Sequence, residues 1–441
     1  MRGWLGGAEP IGGGEAAREP QRVEFRPVPA KSRPRALPAF RGLVSRPRLQ
    51  GQGQARLERA RGQLREAFTP TQPVTEARVF AGRTKLLQQL IDSIEHRMSH
   101  VVLFGERGIG KTSVLHILGK LAEESDYVVL RATCGTRTEF SALFRTVLRH
   151  VPIRFHESVS PTLERSEHGQ TLADLLPAGP FDARELSEVL SGVTSTRLLI
   201  LLDEYDRIDD ESFRQAIAEL IKNLSDLAAR VHLVIAGVSS NLDELIGYIP
   251  SIRRNIVGLP VQRLSDEEVR ELLGIGEEAS GLRFRSEASA AILTLGNGSP
   301  YLVRLIAYHS SLIALDAGRL EVSEADVAQG LDRMVEETES RLPVPVAARA
   351  RQVDVVAHPA VLAEVARLGG TPNGWFDVPT PLGANIARLF DRLMELGLLE
   401  RRQGPDGDLL HFVDEGLATY FWMLASRANL RAGQPARATS G

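Results

Sequence analysis

Gly105-Glu106-Arg107-Gly108-Ile109-Gly110-Lys111-Thr112 holds the strongest chemical signal in this chain. Closely spaced glycines let a backbone curl until its N–H groups point inward, an arrangement that suits phosphate oxygens. Lys111 adds a point charge for the outer phosphates, and the Thr112 hydroxyl is a hard oxygen ligand for Mg²⁺. Ser113 follows in the first turn of a predicted helix, whose dipole also favours an anion. In a chain of 441 residues a chance match to this P-loop pattern is on the order of a few per cent.

A second constellation lies downstream. The apolar run Leu198-Leu199-Ile200-Leu201-Leu202 ends in Asp203-Glu204. A buried strand of this kind delivers Asp203 to a metal's coordination sphere, and Glu204 is then placed to orient or deprotonate an attacking water. Alone, such a strand is also the pattern of an ordinary acidic turn; the glycine-rich loop upstream gives it meaning. Together the two motifs predict an ATPase using ATP and Mg²⁺, with Lys111 and Glu204 in the catalytic roles and Thr112 and Asp203 on the metal. The Glu beside the Asp separates the pattern from nucleotide kinases, which need an acceptor site instead of a polarised water.

Three further groups have open readings. Ser239, Ser240 and Asn241 follow an apolar strand, where a polar side chain can stand between γ-phosphate and water or simply cap a loop. Arg253 and Arg254 are either an arginine finger for a neighbouring subunit's ATP or a solvated pair. Arg304 lies one turn into the helix after Gly298-Ser299-Pro300, and brings positive charge over the phosphates or serves the core. The ten His and the single Cys134 show no metal-ligand spacing, and one cysteine permits no internal disulfide.

The elements that must position these residues follow from periodicity. Leu86, Leu87, Leu90, Ile91 and Ile94 fall at helical spacing, and 100–104 reads as a buried strand before the loop. Strands are predicted over 127–131, 197–203, 231–237 and 255–261, alternating with helices over 139–151, from Ala183, and over 211–228. Apolar strands alternating with amphipathic helices argue an α/β fold with a parallel sheet covered on both faces. Residues 153–182 read as an irregular insertion. After Ser265 the strands stop, and 266–339 reads as four helices broken most sharply at 296–300. A third unit has helices near 360–368 and 385–396, two short strands around Gly404-Pro405-Asp406-Gly407, and a last helix bearing Leu417, Tyr420, Phe421 and Leu424. Helices followed by a two-stranded wing suggest a winged helix.

The expected division is a disordered basic tail at 1–75, a nucleotide-binding α/β domain at 76–262, a helical lid at 263–342, a winged-helix-like domain at 343–428 and a disordered tail at 429–441. Residues 1–75 hold 14 Arg/Lys against 6 Asp/Glu, a net of +8, and the remaining 366 carry 39 against 50, a net of −11. A basic tail on an acidic body is compatible with nucleic acid or a membrane surface. Arg supplies 48 of the 53 basic residues throughout the chain, however, so its abundance in the tail is not special. No run approaches the ~20 apolar residues of a membrane span, and the start lacks the apolar core of a secretory signal. The expectation is a cytoplasmic protein without membrane contact.

This layout resembles the AAA+ superfamily of P-loop ATPases, in the branch that holds origin-recognition-type and STAND switch ATPases. The resemblance covers roughly 76–427 and is carried by Phe80-Ala81-Gly82-Arg83, the P-loop, Asp203-Glu204, Gly298-Ser299-Pro300 and the terminal winged helix. It implies that the segment from Val79 to Arg83, Phe80 and Arg83 included, lies near the adenine. The chain departs from the pattern at Tyr301, where many members carry Arg, and at Asn241, one residue late for a sensor. The resemblance implies a slow conformational or assembly switch, with an ATP-dependent homo-oligomer or a protein as partner. The alternative is a DNA-binding ATPase of replication, transposition or partition type that grips DNA through the winged helix.

Overall fold

The computed structural model describes residues 52–68, 72–157, 169–246, 250–355, 357, 359–369, 375–377, 384–403 and 407–432. Its centre is a parallel five-stranded sheet of β1 (His100–Gly105), β2 (Val128–Thr133), β3 (Leu198–Asp203), β4 (Val231–Val238) and β5 (Ile256–Pro260), in the order β2-β3-β4-β1-β5. The inner strands β3, β4 and β1 bury both faces, which is why their runs read as nearly unbroken apolar residues, whereas the edge strands β2 and β5 are half-buried. Val101, Leu103, Leu199, Leu201, Val234 and Ala236 pack on one side, under helices α2 (Thr84–Glu95) and α3 (Lys111–Glu123). Val102, Ile200, Leu202, Leu233 and Ile235 pack on the other, under α4 (Phe140–Leu148), α5 (Ala183–Ser191) and α6 (Glu211–Asp226). The Asp182 carboxylate and the Glu185 side chain cap α5 reciprocally. The short helix α7 (Leu242–Ile246) lies between β4 and β5.

A second body lies beyond the sheet. Its lid contains α8 (Asp266–Ser280), α9 (Ser286–Gly296), α10 (Pro300–Asp316) and α11 (Glu324–Arg341). Strands do not stop entirely here: β6 (Arg283–Phe284) and β7 (Glu321–Val322) form a two-residue parallel pair. The C-terminal unit holds α12 (Val344–Ala350), α13 (Pro359–Gly369), α14 (Ala384–Glu395) and α15 (Gly416–Arg431). Its antiparallel sheet has the order β8-β10-β9, made of Trp375–Asp377, Asp408–Phe412 and Leu399–Gln403. The helices and hairpin expected from the turn at 404–407 are present, with β8 as a third strand; residues 404–406 lie outside the described ones. Lid and C-terminal unit share one apolar core. The Trp422 indole donates to the Leu295 carbonyl at 2.9 Å, and the Tyr420 hydroxyl to Glu339 at 2.7 Å, so α15 is stitched to the lid.

Two expectations about the tails are corrected. Residues 52–68, expected to lack structure, form helix α1 (Gln52–Phe68). Ala60, Leu64, Ala67 and Phe68 make a narrow buried stripe against α8 and α10, hidden in the sequence by the Arg and Gln on the other faces. Residues 429–431, assigned to a C-terminal tail, continue α15, and Asn429 is buried. Residues 1–51 and 433–441 lie outside the described ones, as do 158–168 of the insertion. Elsewhere in the insertion Leu172 and Phe181 are buried in the core on the α4–α6 side of the sheet. Among the described residues no helix is long and apolar enough to cross a membrane.

Phe68 is fully buried, its ring pressed onto Gly276 and edge-on to Phe284 at 5.8 Å. Phe68→Ala is expected to destabilise the fold by about 3–5 kcal/mol, measured by denaturant unfolding; a loss below about 1 kcal/mol would show that α1 is not part of the core.

Candidate functional site

The loop after β1 is shaped by its glycines. A Cβ on Gly105 would sit 2.6 Å from the Val261 carbonyl oxygen, and Gly110, at φ 96°, takes the left-handed turn that starts α3. Ile109 is buried in the sheet core and anchors the loop from within. The Lys111 side chain is only 8% exposed, and its ammonium donates to the carbonyls of Gly105 at 2.9 Å and Glu106 at 2.8 Å. Burial pulls its pKa down to about 8, against the upward pull of Asp206 and Asp203. The group therefore faces two acids and remains short of compensating charge.

Those acids come from the end of β3. Asp203 accepts from the Glu204 main-chain N–H at 2.9 Å, and Glu204 adopts a left-handed conformation at φ 55°. Such a conformation in a non-glycine residue is uncommon and concentrates at functional sites. The Glu204 carboxylate lies 3.3 Å from the Arg207 guanidinium. Asp206 accepts from the Val238 N–H at 2.7 Å, which ties the turn to the end of β4. Asp206 was not anticipated; its signal was present in the spacing Asp203-Glu204-Tyr205-Asp206, with a buried Tyr205 between two outward acids. Beneath them the Cys134 thiol is buried, and burial with Asp203 nearby pushes it up to about 12, which keeps it protonated and inert.

Lys111, Thr112, Ser113, Asp203, Glu204 and Asp206 line one cleft of about 1250 Å³. Arg107, Gly108, Ile109 and Gly110 also reach it, as do Phe80, Arg83 and Arg304. Gly105 and Glu106 are held behind the loop, where their carbonyls meet Lys111. The lid supplies Leu264, Leu272, Pro300 and Tyr301, the C-terminal unit His411 and Glu415, and Gln72-Pro73-Val74 a further edge. The Val74 N–H donates to the Ser113 hydroxyl at 3.0 Å.

Arg83 is a strut. Its guanidinium is buried and donates to the Ile109 carbonyl at 3.0 Å, while its N–H and that of Gly82 donate to Glu268 and Glu271 of the lid. Burial lowers its pKa, with Glu268 opposing. Arg304, 7% exposed, donates to the carbonyls of Ala67 at 3.1 Å and Val79 at 2.8 Å, bracketing the chain between α1 and the sheet. Burial alone brings it down to about 10.

Other anticipated residues are placed elsewhere. The Ser239 hydroxyl donates to the Asn241 carbonyl at 2.6 Å, and the Asn241 amide meets Ser240 at 3.2 Å. Among the described residues, β4 gives the cleft Gly237 and Val238, and none of 239–241 lines it. Arg253 pairs with Asp243 at 2.6 Å and Arg254 approaches Asp226 at 4.0 Å, both outside this cleft.

For a metal, the cleft offers the Thr112 hydroxyl and the carboxylates of Asp203 and Asp206. No group of three or more His, Cys, Asp or Glu among the described residues could hold an ion unaided. An oxygen set with one or two carboxylates fits Mg²⁺, which takes its remaining ligands from substrate phosphates and water.

Residues 79–235 match the family model described as AAA ATPase domain. This stretch, about a third of the chain, is similar to an AAA ATPase domain. The match spans the P-loop, the acids after β3 and most of β4. No curated protein matches the sequence. Among solved structures, Cdc6p from Pyrobaculum aerophilum aligns at 15% identity and TM-score 0.43, covering 83% of this chain and 98% of that one. The ORC1 protein of Aeropyrum pernix, solved in complex with DNA, aligns at 16% and 0.42 over 83% and 98%. The RuvB Holliday junction branch migration motor of Thermotoga maritima aligns at 14% and 0.41 over 76% and 94%.

Arg304→Met removes both donors from the Ala67 and Val79 carbonyls, with an expected cost of about 1–3 kcal/mol. Hydrogen exchange should quicken selectively over 72–79; unchanged protection there would show that Arg304 does not hold this segment.

Proposed function

We propose that the chain binds Mg-ATP in this cleft and hydrolyses it, using the nucleotide state to change how its two bodies sit on each other or on a partner. The observation that carries this is the convergence of a buried lysine ammonium, a hydroxyl and two carboxylates on one cleft beside a glycine-shaped loop. Main-chain N–H groups of 107–112 receive the phosphate oxygens, and Lys111 leaves the Gly105 and Glu106 carbonyls to meet the outer phosphates. Thr112 and Asp203 hold Mg²⁺, which when bound offsets charge that builds on the phosphates. Glu204 orients the attacking water and accepts its proton. Phe80, Ala81, Leu264 and Leu272 give the base an apolar slot.

A switch is favoured over a DNA motor by two features. Residues 343–428, in the position of a winged helix, hold 8 Arg and no Lys against 10 Asp/Glu, a poor match for duplex phosphates. The same unit shares its apolar core with the lid, so movement of one carries the other. A protein partner or a second copy of the chain is therefore the favoured recipient of the change. Duplex DNA that stimulates ATP turnover in a salt-sensitive way would favour the alternative.

Lys111→Ala is expected to abolish binding of a fluorescent ATP analogue, and Glu204→Gln to bind it normally while turnover falls by about 10²–10⁴-fold. Tight binding by the Lys111 variant would sink the scheme. Lys111 is lowered to about 8, and bound phosphates restore its charge, so binding above that pH takes up a proton. Affinity should be flat below pH 8 and fall by up to about tenfold per pH unit above it; a profile flat to pH 10 would show that Lys111 takes up no proton on binding.

A further inference from the structure

Glu106 and Arg107 are the two charged residues between the first two glycines of the P-loop, and both side chains pair with residues of the second body. Arg107 pairs with Glu415, the residue before α15. Glu106 is held more firmly. The Arg263 guanidinium grips its carboxylate in a fork, Nη2 to Oε2 at 2.7 Å and Nε to the two oxygens at 3.1 and 3.3 Å. Its remaining arm, Nη1, donates to the Asn297 carbonyl at 3.2 Å. Asn297 is the left-handed residue that ends α9, followed by the Gly298-Ser299-Pro300 turn. That turn is packed onto the same strand exit: the Leu264 N–H donates to the Gly298 carbonyl at 2.8 Å, and a Cβ on Gly298 would lie 2.5 Å from the Leu264 carbonyl oxygen. Pro300 and Tyr301 then face the P-loop itself, 4.0 Å from a Cβ position at Gly110 and 3.7 Å from one at Gly108.

One side chain therefore connects three parts: the phosphate loop, the exit from β5 and the break between α9 and α10. The Glu106 carbonyl is also one of the two that hold the Lys111 ammonium, so the carboxylate that Arg263 fixes and the carbonyl that Lys111 must leave belong to the same residue. A bidentate guanidinium–carboxylate pair sets distance and plane together, which a lysine cannot do.

We infer that Arg263 is a positioning residue for ATP hydrolysis: through Glu106 it sets the orientation of the P-loop, and through Asn297 it makes that orientation depend on lid placement. This inference rests on the nucleotide-binding role proposed above for the cleft. Both side chains are about one-third exposed, so the pair adds little to global stability. Its contribution is to preorganisation, which is felt in kcat more than in ground-state binding.

The test uses the full chain and four proteins: wild type, Arg263→Gln, Glu106→Gln and the double variant, with Arg263→Lys as the conservative control. Arg263→Gln should lower kcat by about tenfold with KM changed less than about threefold and the melting temperature moved by no more than about 2 °C. Glu106→Gln should match it, and the double variant should be no worse than either, because the two act as one unit. Arg263→Lys should keep the charge yet recover only part of kcat. Unchanged kcat in Arg263→Gln, or losses that multiply in the double variant, would overturn the inference while wild-type turnover leaves the proposed function standing. A wild-type protein that neither binds nor hydrolyses ATP would overturn both.

Discussion

A lysine ammonium can be buried only where oxygen atoms replace the water it gives up. At Lys111 those atoms are two main-chain carbonyls from its own loop, with Asp203 and Asp206 across the cleft. Much of the local architecture serves this arrangement. The loop must double back on itself, which needs glycine where the chain touches Val261 and where α3 begins. It must also be anchored, which Ile109 does from the core and the Arg83 guanidinium does at the Ile109 carbonyl. The acids must arrive at the same end of the sheet, which parallel strands achieve by placing their carboxyl ends together. An incoming polyanion would offer Lys111 better oxygens than a pair of carbonyls, and that difference would drive the proposed binding.

The second constraint is how the two bodies meet. The sheet and its helices have apolar cores of their own; the lid, α1 and the C-terminal unit share another, and among the described residues Ala81 alone joins the latter from the segment leading into the sheet. What bridges the cleft is polar: Gly82 and Arg83 main-chain N–H groups on lid carboxylates, Arg304 on the Val79 carbonyl, Arg263 on Glu106, and Arg107 on Glu415. Close-packed apolar interiors resist rearrangement, whereas half-exposed ion pairs exchange partners at little cost. Such a construction suits the proposed switch, in which shape would change at the cleft while each body stays intact.

Much of this was legible in the sequence because the signals were local. Short apolar runs located the five strands, most clearly at 198–202, and the P-loop and Asp203-Glu204 followed from residue types that few other chemistries need. The sequence was silent where position depended on tertiary contact. Helix α1 presents only a narrow apolar stripe, and its burial depends on Gly276 and Phe284, which lie far along the chain. Strand β8 is three residues long and exists through its pairing with β10. Arg304 was weighed as a phosphate contact, yet its donors are committed to two carbonyls that no pattern relates to it. Arg263 carried no motif at all; its meaning comes from the 2.7 Å contact with a loop residue more than 150 positions earlier.

The most direct measurement is a crystal structure of the full chain with Mg²⁺ and a non-hydrolysable ATP analogue. The triphosphate should lie within the turn of 107–112, with the Lys111 ammonium moved off the Gly105 and Glu106 carbonyls onto phosphate oxygens and the ion between Thr112 and Asp203. Nucleotide bound elsewhere, with Lys111 still on those carbonyls, would contradict the assignment of this cleft.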